Sequence, residues 1–145
     1  MDTARVIELL NLVDFKKIKL SNDTILMNKN MMLDFNSLAQ GYTVDLIAHM
    51  FDGIGLDNYL IEVGGEIKSK GKNPDNNFWT IGVDRPTEII NPKDRFQFIL
   101  NLFNTSLATS GNYRKFYQEN GVKYSHVINP KTGFPSLNKL CLLYT

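Results

Sequence analysis

The residues best suited to chemistry fall in three clusters. The richest is Ala108-Thr109-Ser110-Gly111-Asn112-Tyr113-Arg114, followed by Tyr124-Ser125-His126-Val127-Ile128-Asn129-Pro130. Hydroxyls, a glycine, a guanidinium and an imidazole thus stand within about twenty residues. Histidine is the side chain most easily tuned to move a proton near neutral pH, which makes His126 the candidate proton carrier. Arg114 either holds a phosphate or is a solvated residue after a turn. The second cluster is Asp34-Phe35-Asn36-Ser37-Leu38-Ala39-Gln40-Gly41-Tyr42, where a strand is expected to give way to a helix. Main-chain N–H groups at a helix start attract anions, and a glycine there lets a ligand come close. Capping of the helix by Asp34 or Ser37 is the simpler structural reading. The third cluster, Val63-Gly64-Gly65-Glu66, fits either a plain turn or the close passage of a ligand.

Other chemistries find no motif. There is no His-x-x-x-His, no cysteine pair, no dense carboxylate cluster, no Walker loop and no G-x-G-x-x-G. Magnesium-assisted phosphate chemistry stays open, because Mg²⁺ needs only one or two protein carboxylates beside carbonyls and waters. His49 lies four residues from Asp45 on an expected helix, so an i, i+4 surface pair accounts for it.

The chain has 145 residues, a length that fits one domain spanning residues 1–145. With 43% apolar and 21% charged residues it has the composition of a globular chain, not of a disordered one. A net charge of +1 supplies no field for nucleic acid or an anionic membrane, so an anionic ligand needs a local site. The single cysteine, Cys141, excludes an internal disulfide and a cysteine zinc site. No run of eighteen apolar residues suggests a transmembrane helix. The charged, amphipathic stretch Met1–Leu12 does not read as a signal peptide.

The clusters must be held by regular elements. Asp2 or Thr3 is expected to cap a helix with Val6, Leu9, Leu10 and Val13 on one face. Lys16–Leu20 and Thr24–Met27 read as strands around a turn at Ser21–Asp23, and Met31–Asp34 as a third short apolar run. Val44, Ile47, Ala48 and Phe51 define a helix from Tyr42 to about Phe51, ended by Gly53. Further strands are expected at Tyr59–Val63, Glu66–Gly71, Phe78–Val83, Phe96–Phe103, Leu107–Thr109 and Tyr124–Ile128. The second and third of these are joined by a turn at Asn73–Asn77. Arg85–Arg95 reads as a loop, and Asn129–Gly133 as a turn with Gly133 at positive φ. A strand is expected to begin within Leu140–Tyr144, which suggests a piece of a larger domain. Many short strands among two helices argue an α+β fold with a layered, largely antiparallel sheet.

Taken in order, these segments resemble the ApbE family of FAD:protein FMN transferases. Asp34–Asp45 matches its D-(L/F)-(G/N/S)-x-x-(A/G)-x-G-Y-x-x-D run, and Leu60–Ile67 its L-x-x-x-G-G-(D/E)-(I/L) segment. Gly71–Pro86 matches a glycine-to-W-x-I-G segment. Ala108–Arg114 and Ser125–Pro135 match A-(T/L)-S-G-x-Y-R and S-H-(V/I)-(I/L)-(D/N)-P-x-T-G-x-P. The resemblance implies an incomplete T-fold-like core that binds FAD with Mg²⁺. In that chemistry a Thr or Ser hydroxyl of an acceptor protein attacks the FMN-side phosphorus and AMP leaves.

Carried over by residue, the resemblance implies that Asp34 and Gln40 contact FAD and that the main-chain carbonyl of Ser37 faces Mg²⁺. His126 lies at the reacting phosphate, and Ile128 packs by the flavin nucleotide. Thr109, Ser110 and Gly111 shape the same pocket, and Gly64 and Gly65 let the backbone approach the ligand. The family often has Lys or Glu at the position of Gln40, and Asn129 stands where Asp is commoner. Two family segments find no match: an early one with apolar and aromatic flavin contacts, and a later A-D-A-x-x-T-(A/T) segment whose Asp and Thr are the principal Mg²⁺ side-chain ligands. The expectation is a chain short of metal ligands, with apolar faces left uncovered. Two other readings stay open: hydrolysis of FAD to FMN and AMP, and flavin binding without catalysis. The resemblance also implies a place outside the cytoplasmic membrane.

Overall fold

The computed structural model describes residues 2–86, 92–111, 116–119, 121–136 and 142–144. The chain divides into two compact units. One holds Met1–Asp34 and Lys115–Asn138, the other Phe35–Arg114 and Lys139–Thr145.

In the first unit, Asp2 caps helix α1 (Thr3–Leu10) by accepting from the amides of Ala4 at 3.0 Å and Arg5 at 3.3 Å. Aspartate does this well because its carboxylate satisfies N–H groups the helix cannot. Val13 falls beyond the helix. Asp14 instead opens a 3₁₀ turn at Phe15–Lys17, so the strand expected from Lys16 starts later, as β1 (Lys19–Ser21). It pairs antiparallel with β2 (Thr24–Leu26), and Asn22 takes φ +50 in the turn. Asparagine tolerates that region better than other residues with a side chain. The turn before Gly133 packs against α1. Gly133 has φ +74, and a Cβ there would lie 2.4 Å from Val6 Cγ1.

The second unit is layered. Helix α2 (Asn36–Gly53) lies on one face of a sheet with strand order β3 (Tyr59–Val63), β4 (Glu66–Lys70), β7 (Ser106–Leu107). Val44 and Ala48 are buried against Tyr59 and Ile61, with Ile47 and Phe51 packed beside them. Burying one such aliphatic side chain is worth about 1.5–3 kcal/mol. The other face of the sheet packs Ile67 and Leu107 on Val83 and Leu102. Those belong to the antiparallel pair β5 (Trp79–Asp84) and β6 (Phe96–Leu102). The expected layered α+β architecture with antiparallel sheets is therefore present.

The alternation of β4 explains its role. Ile67 and Ser69 face the second core, while Lys68 and Lys70 face α2. There Lys68 meets Asp45 at 2.7 Å, and Lys70 meets Asp52 and Asp57, each at 3.0 Å. Asp45 is thus the partner of Lys68, not of the exposed His49. Sheet registry brings Lys68 onto the helix, and a long ammonium stem spans the gap.

Several boundaries differ from expectation. Residues 31–35 carry no regular structure, and α2 begins six residues earlier than Tyr42. Its N-cap is Phe35, whose carbonyl accepts from the amides of Leu38 and Ala39, each at 2.9 Å. Gly53 is the last helical residue, and Gly55 takes the positive φ of +78. β4 does not pair with β5 across the Asn73–Asn77 turn, because its two edges are already taken by β3 and β7. The segment expected as one strand at Leu107–Thr109 divides at Ala108. Ser106–Leu107 pairs with β4, and β8 (Thr109–Gly111) pairs with β11 (Leu142–Tyr144). A hairpin unforeseen in the sequence joins β9 (Phe116–Glu119) to β10 (Val122–Ser125). The latter ends before His126. Leu38, Tyr42, Leu46 and Met50 stand exposed on the outside of α2. No helix among the described residues is long and apolar enough to cross a membrane.

Candidate functional site

Four of the residues singled out in the sequence meet at one corner of the second unit. The turn between β3 and β4 consists of Gly64 at φ +61 and Gly65 at φ +103. Positive φ at both positions matches the twist of a two-residue hairpin, and glycine reaches it without steric cost. The turn reading is therefore right, and the groups that pass close to the glycines belong to the protein. A Cβ on Gly64 would sit 2.1 Å from Gln40 Nε2, and one on Gly65 would sit 2.8 Å from Thr109 Oγ1. Thr109 Oγ1 donates to the Gly65 carbonyl at 3.3 Å. What passes the glycines is the protein itself, a helix side chain on one side and a strand hydroxyl on the other.

Helix α2 aims Gln40 at this turn because its buried stripe, Val44 and Ala48, fixes the rotation of the helix on the sheet. Ser37 precedes Gln40 by three residues and so shares its side of the helix. A carbonyl in a first turn gives one lone pair to the helix ladder and keeps another for a ligand. Ser110 and Gly111 continue β8 opposite Leu143 and Leu142 and are both exposed. Tyr113 and Arg114 lie outside the described residues.

Asp34, His126 and Ile128 belong to the first unit. Asp34 and His126 are exposed, and Ile128 pairs with Pro135 in an isolated bridge. Around that bridge Asn129 builds the turn. Its carbonyl accepts from Gly133 at 2.8 Å, and its Oδ1 accepts from the amide of Lys131 at 2.9 Å. Asparagine at this position is thus a turn residue in its own right.

One polar group at the corner stands in the Gly-Gly cluster but has no role of its own in the sequence reading. Glu66 follows the Gly-Gly turn on the face of β4 that carries Lys68 and Lys70, and its Oε2 is buried without a hydrogen-bond partner among the described residues. The available signal was the Glu66, Lys68, Lys70 alternation, which places all three toward α2.

Electrostatics is concentrated further along the same helix. The Lys70 ammonium, hydrogen-bonded to Asp52, holds that carboxyl below its usual range. Burial, and then the neighbouring Asp52, push the Tyr59 phenol up. Bonds to Asp57 and Asp52 raise Lys70, and the bond to Asp45 raises Lys68. Among the described residues no group of three or more His, Cys, Asp or Glu side chains is placed to hold a metal ion. These residues alone therefore offer no protein-built cage for Mg²⁺, which would draw on main-chain carbonyls, waters and phosphate oxygens as well. What the corner offers is a carboxamide, a hydroxyl and a turn without side chains.

An α+β core of this kind is shared with solved flavin transferases. The apo form of the Pseudomonas stutzeri flavinyl transferase ApbE superposes with a TM-score of 0.84 at 29% identity, over 99% of this chain and 43% of that one. The Vibrio cholerae flavin transferase ApbE gives 0.83 at 29% identity, over 99% and 44%. The model of the ApbE family matches residues 1–142, and the chain belongs to that family. The FAD:protein FMN transferase of Haemophilus influenzae is 38% identical over 103 residues, 71% of this chain and 29% of that protein. The Vibrio cholerae counterpart is 37% identical over 117 residues, 76% and 32%. The chain thus spans about a third of the length of these curated relatives.

Proposed function

We propose that this chain carries the flavin-nucleotide site of an FMN transferase. FAD is the donor, and a Thr or Ser hydroxyl of an acceptor protein attacks the phosphorus on the FMN side. The new P–O bond replaces the P–O bond to the bridging oxygen, and AMP departs with that oxygen. His126 takes the hydroxyl proton. Asp34 and Gln40 hold the dinucleotide, Gly64 and Gly65 let it approach, Thr109, Ser110 and Gly111 line its pocket, and Ile128 packs by the flavin. The single observation that supports this reading best is the Gln40–Gly64–Gly65–Thr109 corner, assembled from three separate family segments. Preorganised polar groups at a developing phosphoryl charge are the main source of catalysis in such transfers.

Mg²⁺ belongs to this proposal as a companion of the diphosphate, with the Ser37 carbonyl as the donor this chain contributes. It would neutralise phosphate charge. The described residues bring no three His, Cys, Asp or Glu side chains together to complete its shell, and the steps assigned above do not run through it.

The test is incubation of the chain with FAD, Mg²⁺ and an acceptor carrying a flavinylation-type Thr/Ser segment. The expected product is a covalently fluorescent acceptor, abolished by His126→Ala. AMP and FMN formed without acceptor would select hydrolysis instead, and FAD binding without AMP would select a binding role.

A further inference from the structure

The segment from Gly71 to Trp79 is a family motif to which the proposed reaction assigns no part. In the second unit it walls a depression of about 430 Å³, lined by Asn58, Lys72, Asn73, Pro74, Asn76 and Trp79. The depression is shallow and open to solvent. The residues are held by main-chain bonds. Asn58 Oδ1 accepts from the amide of Lys72 at 2.7 Å, and Asn73 Oδ1 accepts from the amides of Asp75 at 3.1 Å and Asn77 at 2.9 Å. Each carboxamide oxygen is thereby committed, which leaves each NH₂ group as a fixed donor. Gly71 makes the arrangement possible. It has φ +62, and a Cβ there would lie 2.2 Å from both Asn58 Oδ1 and the Asp57 carbonyl. Trp79 is anchored through Nε1 to the Lys70 carbonyl at 3.0 Å and packs on the second core. Lys72 is the one charged side chain among the six. It is half-buried and makes no ion pair with any described residue.

We propose that this depression binds a hydroxylated ring bearing a carboxylate, of the uronic acid class. An indole wall suits the C–H face of a saturated ring, fixed amide donors suit hydroxyl and carboxylate oxygens, and an unpaired ammonium suits the carboxylate. An aspartate-lined site would reject such an anion, and the two nearby aspartates that could oppose it are accounted for. Asp57 pairs with Lys70, and Asp75 is not among the residues that line the depression. The proposal is independent of the flavin reading, because no residue in it belongs to the flavin corner.

Trp79 is the only tryptophan in the chain, so its fluorescence reports the site without a label. The full chain is titrated with glucuronate, with glucose and with inorganic phosphate. A saturable change with glucuronate is expected, with at least tenfold weaker response to the uncharged ring and to the ringless anion. Lys72→Gln should weaken glucuronate at least tenfold and leave FAD binding unchanged. A folded chain that gives no saturable glucuronate signal overturns the proposal. So does phosphate binding as tightly as glucuronate, or an unaltered titration in Lys72→Gln with its circular dichroism spectrum intact.

Discussion

The carboxamide of Gln40 lies so close over Gly64 that a methyl at position 64 would sit 2.1 Å from its nitrogen. This contact joins helix α2 to the β3–β4 turn. Gly64→Ala has two separable effects. The left-handed backbone at φ +61 costs a residue with a side chain about 1–2 kcal/mol. The clash itself is relieved by swinging Gln40 away, since only the end of a flexible side chain must move. Urea denaturation should show the 1–2 kcal/mol loss. FAD binding by Gly64→Ala should fall as far as in Gln40→Ala, with no additional loss in the double variant.

Gly71→Ala should be worse for stability. Its φ of +62 carries the same backbone cost, but here a Cβ meets the Asp57 main-chain carbonyl at 2.2 Å, and backbone must shift. A loss of about 3 kcal/mol or more is expected, clearly beyond that of Gly64→Ala in the same denaturation experiment.

The Glu66 carboxylate tests whether the corner stores an unmet cost. A buried polar atom without a partner costs about 1–3 kcal/mol. Its Oε2 is such an atom among the described residues. Glu66→Leu, which removes the group, should therefore leave the thermal midpoint unchanged or raise it. A fall of several degrees would mean that Glu66 is satisfied in solution.

Stability should fall at both ends of the pH scale, through the α2–β4 charge network. Asp52 is held below its ordinary 3.8, so its contribution is complete above that value and is lost as pH falls through the lower folded value. Tyr59 is raised above 10.0 and Lys70 above 10.5, so their contributions are complete below those values and are lost as pH rises through the raised ones. Asp52→Asn should flatten the acid limb of midpoint against pH, and Tyr59→Phe the alkaline limb. The Asp52–Lys70 pair is substantially exposed, so high salt should shrink the acid effect, while the Tyr59 effect, set mainly by burial, should change less.

Local chemistry was legible in the sequence, and distant pairing was not. The Asp2 cap, the inner face of α2 at Val44, Ile47, Ala48 and Phe51, strand β3 and the positive φ of Gly133 follow from spacing and residue type. The early start of α2 escaped notice because Asn36, Ser37 and Gly41 are poor helix formers, carried into the helix by packing further along. That β4 gives its second edge to β7 rather than β5 depends on contacts between residues far apart in the chain. So does the meeting of Gln40 with Gly64. Types and order marked Gln40, Gly64, Gly65 and Thr109 as site residues, yet only the fold brings them to one corner. Glu66 stood in the Gly-Gly cluster, but nothing in its type or spacing showed that its carboxylate is buried.

The transfer claim is tested most directly by the intact mass of an acceptor protein after incubation with this chain, FAD and Mg²⁺. The expected result is a gain equal to one FMN phosphoester, matched by one AMP released per acceptor, and absent with His126→Ala. An acceptor of unchanged mass despite bound FAD, or an equal gain with His126→Ala, would contradict it.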